Sequence, residues 1–211
     1  MSARRARDSA TQFLLLVIFA VPLSAQIVDP GGAGGVRVSL RPQIGFYIPT
    51  ENLVELTQSG DAGRLEAGPS FGAALGLRFG SHFGIEANGA YVPTTFRLGT
   101  TGSLEEQDAK LFLGSALATF HVLPPSSPLI LFVNGGVGVV SHGGVAFTSQ
   151  SKSTNLAGVL GAGTGIRFGG MHLIAGADLF RYTAEYEGTQ QTTGELKQLD
   201  FVLKLGLGFV R

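Results

Sequence analysis

Apolar residues along this chain recur at every second position. The pattern is clearest near the C-terminal end, where Leu199, Phe201, Leu203, Leu205, Leu207 and Phe209 fall on one side and Asp200, Val202, Lys204, Gly206 and Gly208 on the other. Successive side chains of a strand point to opposite faces, so this segment predicts a strand with one apolar face and one small or polar face. The same rule sets Leu40, Ile44, Phe46 and Ile48 against Arg41, Gln43 and Tyr47, then Phe71, Ala73, Leu75, Leu77 and Phe79 against Gly72, Ala74, Gly76 and Arg78. Further strands are predicted over 83–94, 110–122, 129–140, 155–168 and 171–182, making eight. Within 110–122, Leu111, Leu113 and Leu117 compete with Phe112 and Phe120 for the apolar face.

The breaks between strands alternate in length. Short ones fall at 80–82, 124–128 and 169–170, and long ones near 50–66, 97–108, 141–154 and 183–196. Each unit of about 45 residues is then one hairpin with one long loop, whereas a propeller blade of that period needs four strands. An up-and-down antiparallel barrel with both chain ends on one side fits. Glycine supports an all-β reading: 32 of 211 residues is about twice the usual share and disfavours helices.

A soluble barrel would alternate in the same way, and the placement of charge separates the two cases. Acidic and basic residues concentrate in the long breaks (Glu51, Glu55, Asp61, Arg64, Glu66, Glu105, Glu106, Asp108, Glu185, Glu187, Glu195, Lys197), leaving few on either strand face. A soluble barrel would show water a charged exterior. With the apolar face in lipid, the other face lines a narrow lumen in which small residues leave room for a few long charged ones. A ten-residue strand tilted by about 40° covers about 26 Å, close to the ~25 Å apolar band of such barrels. Phe79, Phe83, Phe168 and Phe209 near the short turns, and Tyr91, Phe96, Tyr182 and Tyr186 near the long loops, predict two interfacial girdles.

The first 25 residues fit export. Arg4, Arg5 and Arg7 precede an apolar run over 13–21, followed by Pro22 and the small-residue end Leu23-Ser24-Ala25. The run is too short to span a bilayer as a helix, so residues 1–25 are expected to be a signal peptide cleaved after Ala25, with 26–35 a flexible segment and 36–211 the barrel. Cleavage removes three arginines and Asp8, and 15 basic and 15 acidic residues become 12 and 14. That balance predicts no nucleic-acid partner. The chain has no cysteine, which excludes disulfides, thiolate metal sites and a lipidated cysteine.

Three segments carry a resemblance: Leu40-Arg41-Pro42-Gln43-Ile44-Gly45-Phe46-Tyr47, Phe132-Val133-Asn134-Gly135-Gly136-Val137-Gly138 and Leu205-Gly206-Leu207-Gly208-Phe209. Through them the region from about 36 to 211 resembles the small outer-membrane barrels of the OmpA, OmpX and OmpW kind. The resemblance implies a porin-like place in the bacterial cell outer membrane among outer-membrane lipids and lipopolysaccharide. It also implies insertion by the barrel-assembly machinery, which in that family reads a terminal aromatic residue; here Phe209 is followed by Val210 and Arg211.

Candidate chemistry is sparse. Gly161-Ala162-Gly163-Thr164-Gly165 is followed by Ile166, so neither dinucleotide nor Walker spacing is met, and the glycines read as lumen packing. His82, His121, His142 and His172 match no metal-ligand spacing and read as turn histidines. Ser141-His142 is the one serine–histidine pair near the outer leaflet, with no acid beside it, so lipid A chemistry is a weak alternative. No catalytic residue, metal site or cofactor is therefore expected. By parity, Arg41, Arg78, Arg167 and Lys204 point inward together with Glu86, Asp178 and Asp200, and they are expected to form paired networks that obstruct the bore. The expectation is a non-enzymatic barrel with a structural or surface-contact role carried by four long extracellular loops, for which no ligand motif is present. Narrow passage of small or apolar solutes is the alternative, favoured by an apolar tunnel or a lateral gap.

Overall fold

The computed structural model describes residues 36–51, 54–56, 61–100, 103–147, 154–184 and 196–210. The expected signal peptide (1–25), the segment 26–35, Tyr186 and the middles of the long breaks lie outside the described residues. Ten strands follow one another: β1 (Val36–Pro49), β2 (Val54–Leu56), β3 (Asp61–Leu65), β4 (Gly68–Phe79), β5 (Phe83–Thr100), β6 (Ser103–His121), β7 (Leu129–Gly144), β8 (Thr154–Phe168), β9 (Met171–Ala184) and β10 (Leu196–Val210). All but β2 and β3 form an antiparallel ring in chain order, and β1 pairs with β10 from Ser39↔Val210 to Pro49↔Asp200 to close it. The fold is the predicted eight-stranded up-and-down barrel, with β2 and β3 added as a small hairpin on the outer part of β5.

Closure leaves no strand edge, which is the condition for placing a sheet in hydrocarbon. The exterior carries Leu40, Ile44, Phe46, Leu75, Leu131, Val133, Leu160, Leu203 and Leu205, all solvent-exposed apolar side chains. Only lipid makes such a surface stable. Parity resolves β6: Phe112 and Phe120 point outward, while Leu111, Leu113 and Leu117 are buried inside. The short turns hold at positions that need glycine, since Gly80 and Gly169 both adopt φ 60°, a left-handed conformation that costs a side-chain-bearing residue energy.

Three features differ from the sequence reading. In the break expected over 97–108, residues 97–100 and 103–108 are strand: β5 and β6 stay paired from Phe83↔Phe120 out to Thr100↔Ser103. Eighteen residues tilted by about 40° rise about 47 Å, so this ribbon extends about 20 Å past the ~25 Å lipid band. Second, the β4–β5 ladder stops at Phe71↔Tyr91 and pairing with β5 resumes on β3 at Leu65↔Phe96, one residue out of register. Pro93, which has no N–H to give, lies in that interval. The seam is closed by Glu66 N donating to Thr95 O (2.9 Å) and Thr94 Oγ1 donating to Glu66 O (2.6 Å). Third, of the side chains expected in the outer girdle only Tyr91 faces outward among the described residues. Tyr182 is buried in the lumen and Phe96 packs on the interior against Phe147, whereas Tyr91 meets Phe112 on the outside with ring centroids 5.1 Å apart. The four phenylalanines of the short-turn side are all exposed outward.

Candidate functional site

The lumen is the one interior of the molecule, and its lining changes in character from the short-turn end to the loop end. By the usual orientation of such barrels, short turns face the periplasm. At that end Arg37, Arg78, Arg167, His121 and His172 surround a cavity of about 260 Å³. Strand parity sends all five inward, and each lies at the short-turn end of its strand. Arg78 donates through Nη2 to Leu123 O (3.0 Å) and to Ser81 O. Arg167 donates to Ser127 O (2.8 Å) and Pro125 O, and its Nε to His172 Nε2 (3.1 Å). Both guanidiniums thus hold turn carbonyls and neither meets a carboxylate. His121 and His172 line this cavity half-buried instead of standing exposed on the turns.

At the inner end of the cavity, and beyond it, come two ion pairs. Arg41 Nη2 meets Glu86 Oε2 at 2.7 Å, and Lys204 Nζ meets Asp178 Oδ2 at 2.5 Å, with all four side chains buried. With its oxygen facing the guanidinium, the Gln43 amide also accepts from Arg41 Nε (3.0 Å) and Nη2 (3.2 Å). Glycine makes the room: a Cβ on Gly206 would lie 2.7 Å from Arg41 Cγ, and one on Gly161 would collide with the Asp178 and Asn134 side chains. The lumen glycines are thus space for charged neighbours.

Toward the loops the lumen turns apolar. Tyr47, Val92, Leu111, Leu113, Val140, Val159, Phe180 and Val202 pack into one buried cluster that fills the bore, capped by Phe147 from the short 3-10 turn Val145–Phe147. Asp200 sits in this cluster at 1 % exposure, its Oδ2 accepting from Tyr47 Oη (2.8 Å) and Tyr182 Oη (2.9 Å). It therefore answers to two phenols and not to a cation. A buried carboxylate needs such donors to offset its lost hydration.

Of the seven inward residues read from the sequence, the structure brings Arg41 to Glu86 and Lys204 to Asp178, and leaves Arg78, Arg167 and Asp200 outside any ion pair among the described residues. Parity sets Tyr47 on the face of Arg41 but pairs neither it nor Tyr182 with Asp200, because alternation does not give height along the barrel. Ser141 and His142 do not form a dyad. Neighbours on a strand face opposite ways: Ser141 Oγ accepts from Thr154 Oγ1 (3.1 Å), while His142 is buried against Phe147 and Tyr182. Among the described residues no three His, Asp or Glu side chains come together as a metal-holding group.

A closed antiparallel wall, an aliphatic exterior and a packed lumen define an integral β-barrel of the outer-membrane class. No protein-family model matches the chain, and comparison with curated proteins gave no match. Among solved structures the chain is similar to the outer membrane protein OprG from Pseudomonas aeruginosa, at TM-score 0.64 and 12 % identity, covering 87 % of this chain and 99 % of that one. It is also similar to outer membrane protein W of E. coli (TM-score 0.54, 16 % identity, 85 % and 98 % covered) and to Neisserial surface protein A (TM-score 0.53, 13 % identity, 82 % and 96 % covered). At these identities what is shared is the fold, and it is that of small barrels from the bacterial outer membrane.

Proposed function

We propose that this barrel is a non-enzymatic outer-membrane protein whose wall contributes to the membrane and whose loop end makes contact at the cell surface. The observation that carries the reading is the β5–β6 ribbon. It projects past the lipid band and is braced where β3 meets it, because Arg97 pairs with Glu66 (2.6 Å) and with Glu106 (2.9 Å). A stiff two-stranded arm above a plugged bore is built to touch things outside the cell, since function on rigid scaffolds concentrates at such ends. The proposed partners are lipids first. Lys110, Arg181 and Lys197 stand exposed on the outer wall near the loop end, where lipopolysaccharide phosphates would neutralise them. The barrel-assembly machinery is the proposed partner during insertion.

The test replaces residues 97–106 by Asn-Gly, a two-residue turn that suits a hairpin. Cells displaying equal amounts of wild type and variant are compared for cell–cell aggregation and for adherence to protein-coated surfaces. Loss of either property in the variant supports the reading, and identical behaviour in both assays overturns it.

A second reading, passage of small apolar solutes, draws on one observation. The ladder interruption at Pro93 lies beside the apolar cluster of Tyr47, Leu65 and Val92. These side chains occupy the space a solute would use, so this reading needs the cluster to part.

A further inference from the structure

Among the described residues, three guanidiniums at the periplasmic end have no anionic partner. Among those residues Arg37 makes no ion pair, and Arg78 and Arg167 donate only to neutral acceptors, the turn carbonyls and His172. Arg78 lies in the fields of both Arg167 and Arg37. The one carboxylate lining the cavity, Glu86, is engaged by Arg41 at 2.7 Å. Like charges gathered in one cavity repel one another, and the turn carbonyls that Arg78 and Arg167 hold do not neutralise them. Using carbonyls as anchors fixes each guanidinium plane in place while leaving its charge intact. Arg78 Nε is buried with no acceptor, and so is His121 Nδ1. His172 accepts from Arg167 through Nε2, so its proton sits on Nδ1, making a further donor.

The cavity is closed at the inner end. Ile130, Ile174 and the Arg41–Glu86 pair line its deeper part, and beyond them come the Lys204–Asp178 pair and the apolar cluster. Its 260 Å³ falls just under the about 300–1,000 Å³ of pockets for drug-sized ligands, so a small anion fits better than a nucleotide. Guanidinium forks match phosphate oxygens in geometry and charge.

We propose that the periplasmic vestibule, with Arg37, Arg78 and Arg167 as its cations, is a binding site for a small phosphate anion. The phosphate is either free in solution or carried on the headgroup of an inner-leaflet phospholipid. The site is a blind receptor that opens to the periplasm, independent of the loop end.

The experiment uses the folded barrel in nanodiscs of phosphatidylcholine, titrated calorimetrically with pyrophosphate at constant ionic strength, with chloride as control. Saturable binding is expected. Arg167→Gln and Arg37→Gln should each weaken it about tenfold or more, the loss that follows from removing one charged hydrogen bond. Arg37 holds no turn, so its variant separates charge from folding, and the heat-dependent gel shift verifies that each variant is a closed barrel. A second arm repeats the titration in discs containing phosphatidylglycerol. If headgroups fill the vestibule, apparent pyrophosphate affinity drops there for wild type and much less for Arg37→Gln; if the ligand is free phosphate, the two lipids give equal affinity. Absence of saturable pyrophosphate binding in phosphatidylcholine, or equal binding by wild type and both variants, overturns the proposal.

Discussion

Lys204 and Asp178 meet at 2.5 Å with side chains 7 % and 5 % exposed, and a pair so placed is held by mutual need more than by net gain. Removing one member leaves a lone charge away from water, at a cost of about 3–5 kcal/mol, whereas replacing both by apolar residues of similar size is often neutral. Asp178→Ala is therefore expected to lower unfolding stability by that amount. Lys204→Met with Asp178→Leu should recover most of it. Urea titration in micelles, followed by gel mobility, measures both. A cost below about 1 kcal/mol for the single change would mean that the pair is hydrated and the lumen wetter than its packing indicates. Individual residues also show where sequence reasoning reaches its limit. Parity states which face a side chain occupies but not its height along the barrel, so Arg78 and Arg167 looked able to reach Asp200. They sit beside the turns after Phe79 and Phe168, while Asp200 pairs with Pro49 at the opposite end.

Among the elements, β5 and β6 differ most from their sequence pattern, and for two separate reasons. Inside lipid, Leu111, Leu113 and Leu117 face a lumen that is apolar at this level, so both faces of β6 are greasy and alternation loses its contrast. Beyond lipid, Arg97, Glu105, Glu106 and Asp108 stand where both faces of the ribbon meet water, and charge on consecutive positions reads as loop. The other wall strands were legible because each separates lipid from an interior that is small or polar over much of its length. Orientation belongs to this scale as well. Cysteine placed at Glu105, exposed on the ribbon, should react with an impermeant thiol reagent on intact cells, while cysteine at Ser126 in the β6–β7 turn should react only after the outer membrane is permeabilised. The reverse result would turn the barrel over and put the arginine vestibule outside the cell.

At the scale of the whole molecule, the bore is blocked twice, by ion pairs at mid-depth and by the apolar cluster above them. Eight strands enclose about enough space for side chains alone. Purified barrel in planar bilayers should accordingly show no long-lived porin-sized openings, and reproducible openings would favour passage of solutes over surface contact. What the sequence made visible was the barrel and its lipid face, both set by a period repeated in eight strands. The vestibule was not visible, because it depends on which turn carbonyls the arginines find. One feature of the wall also governs how it comes to exist. The ring is completed only when β10 pairs with β1, from Ser39↔Val210 to Pro49↔Asp200, so the first strand must wait with one edge bare until the last has arrived. Closure of the wall is therefore one late event that needs every strand in place.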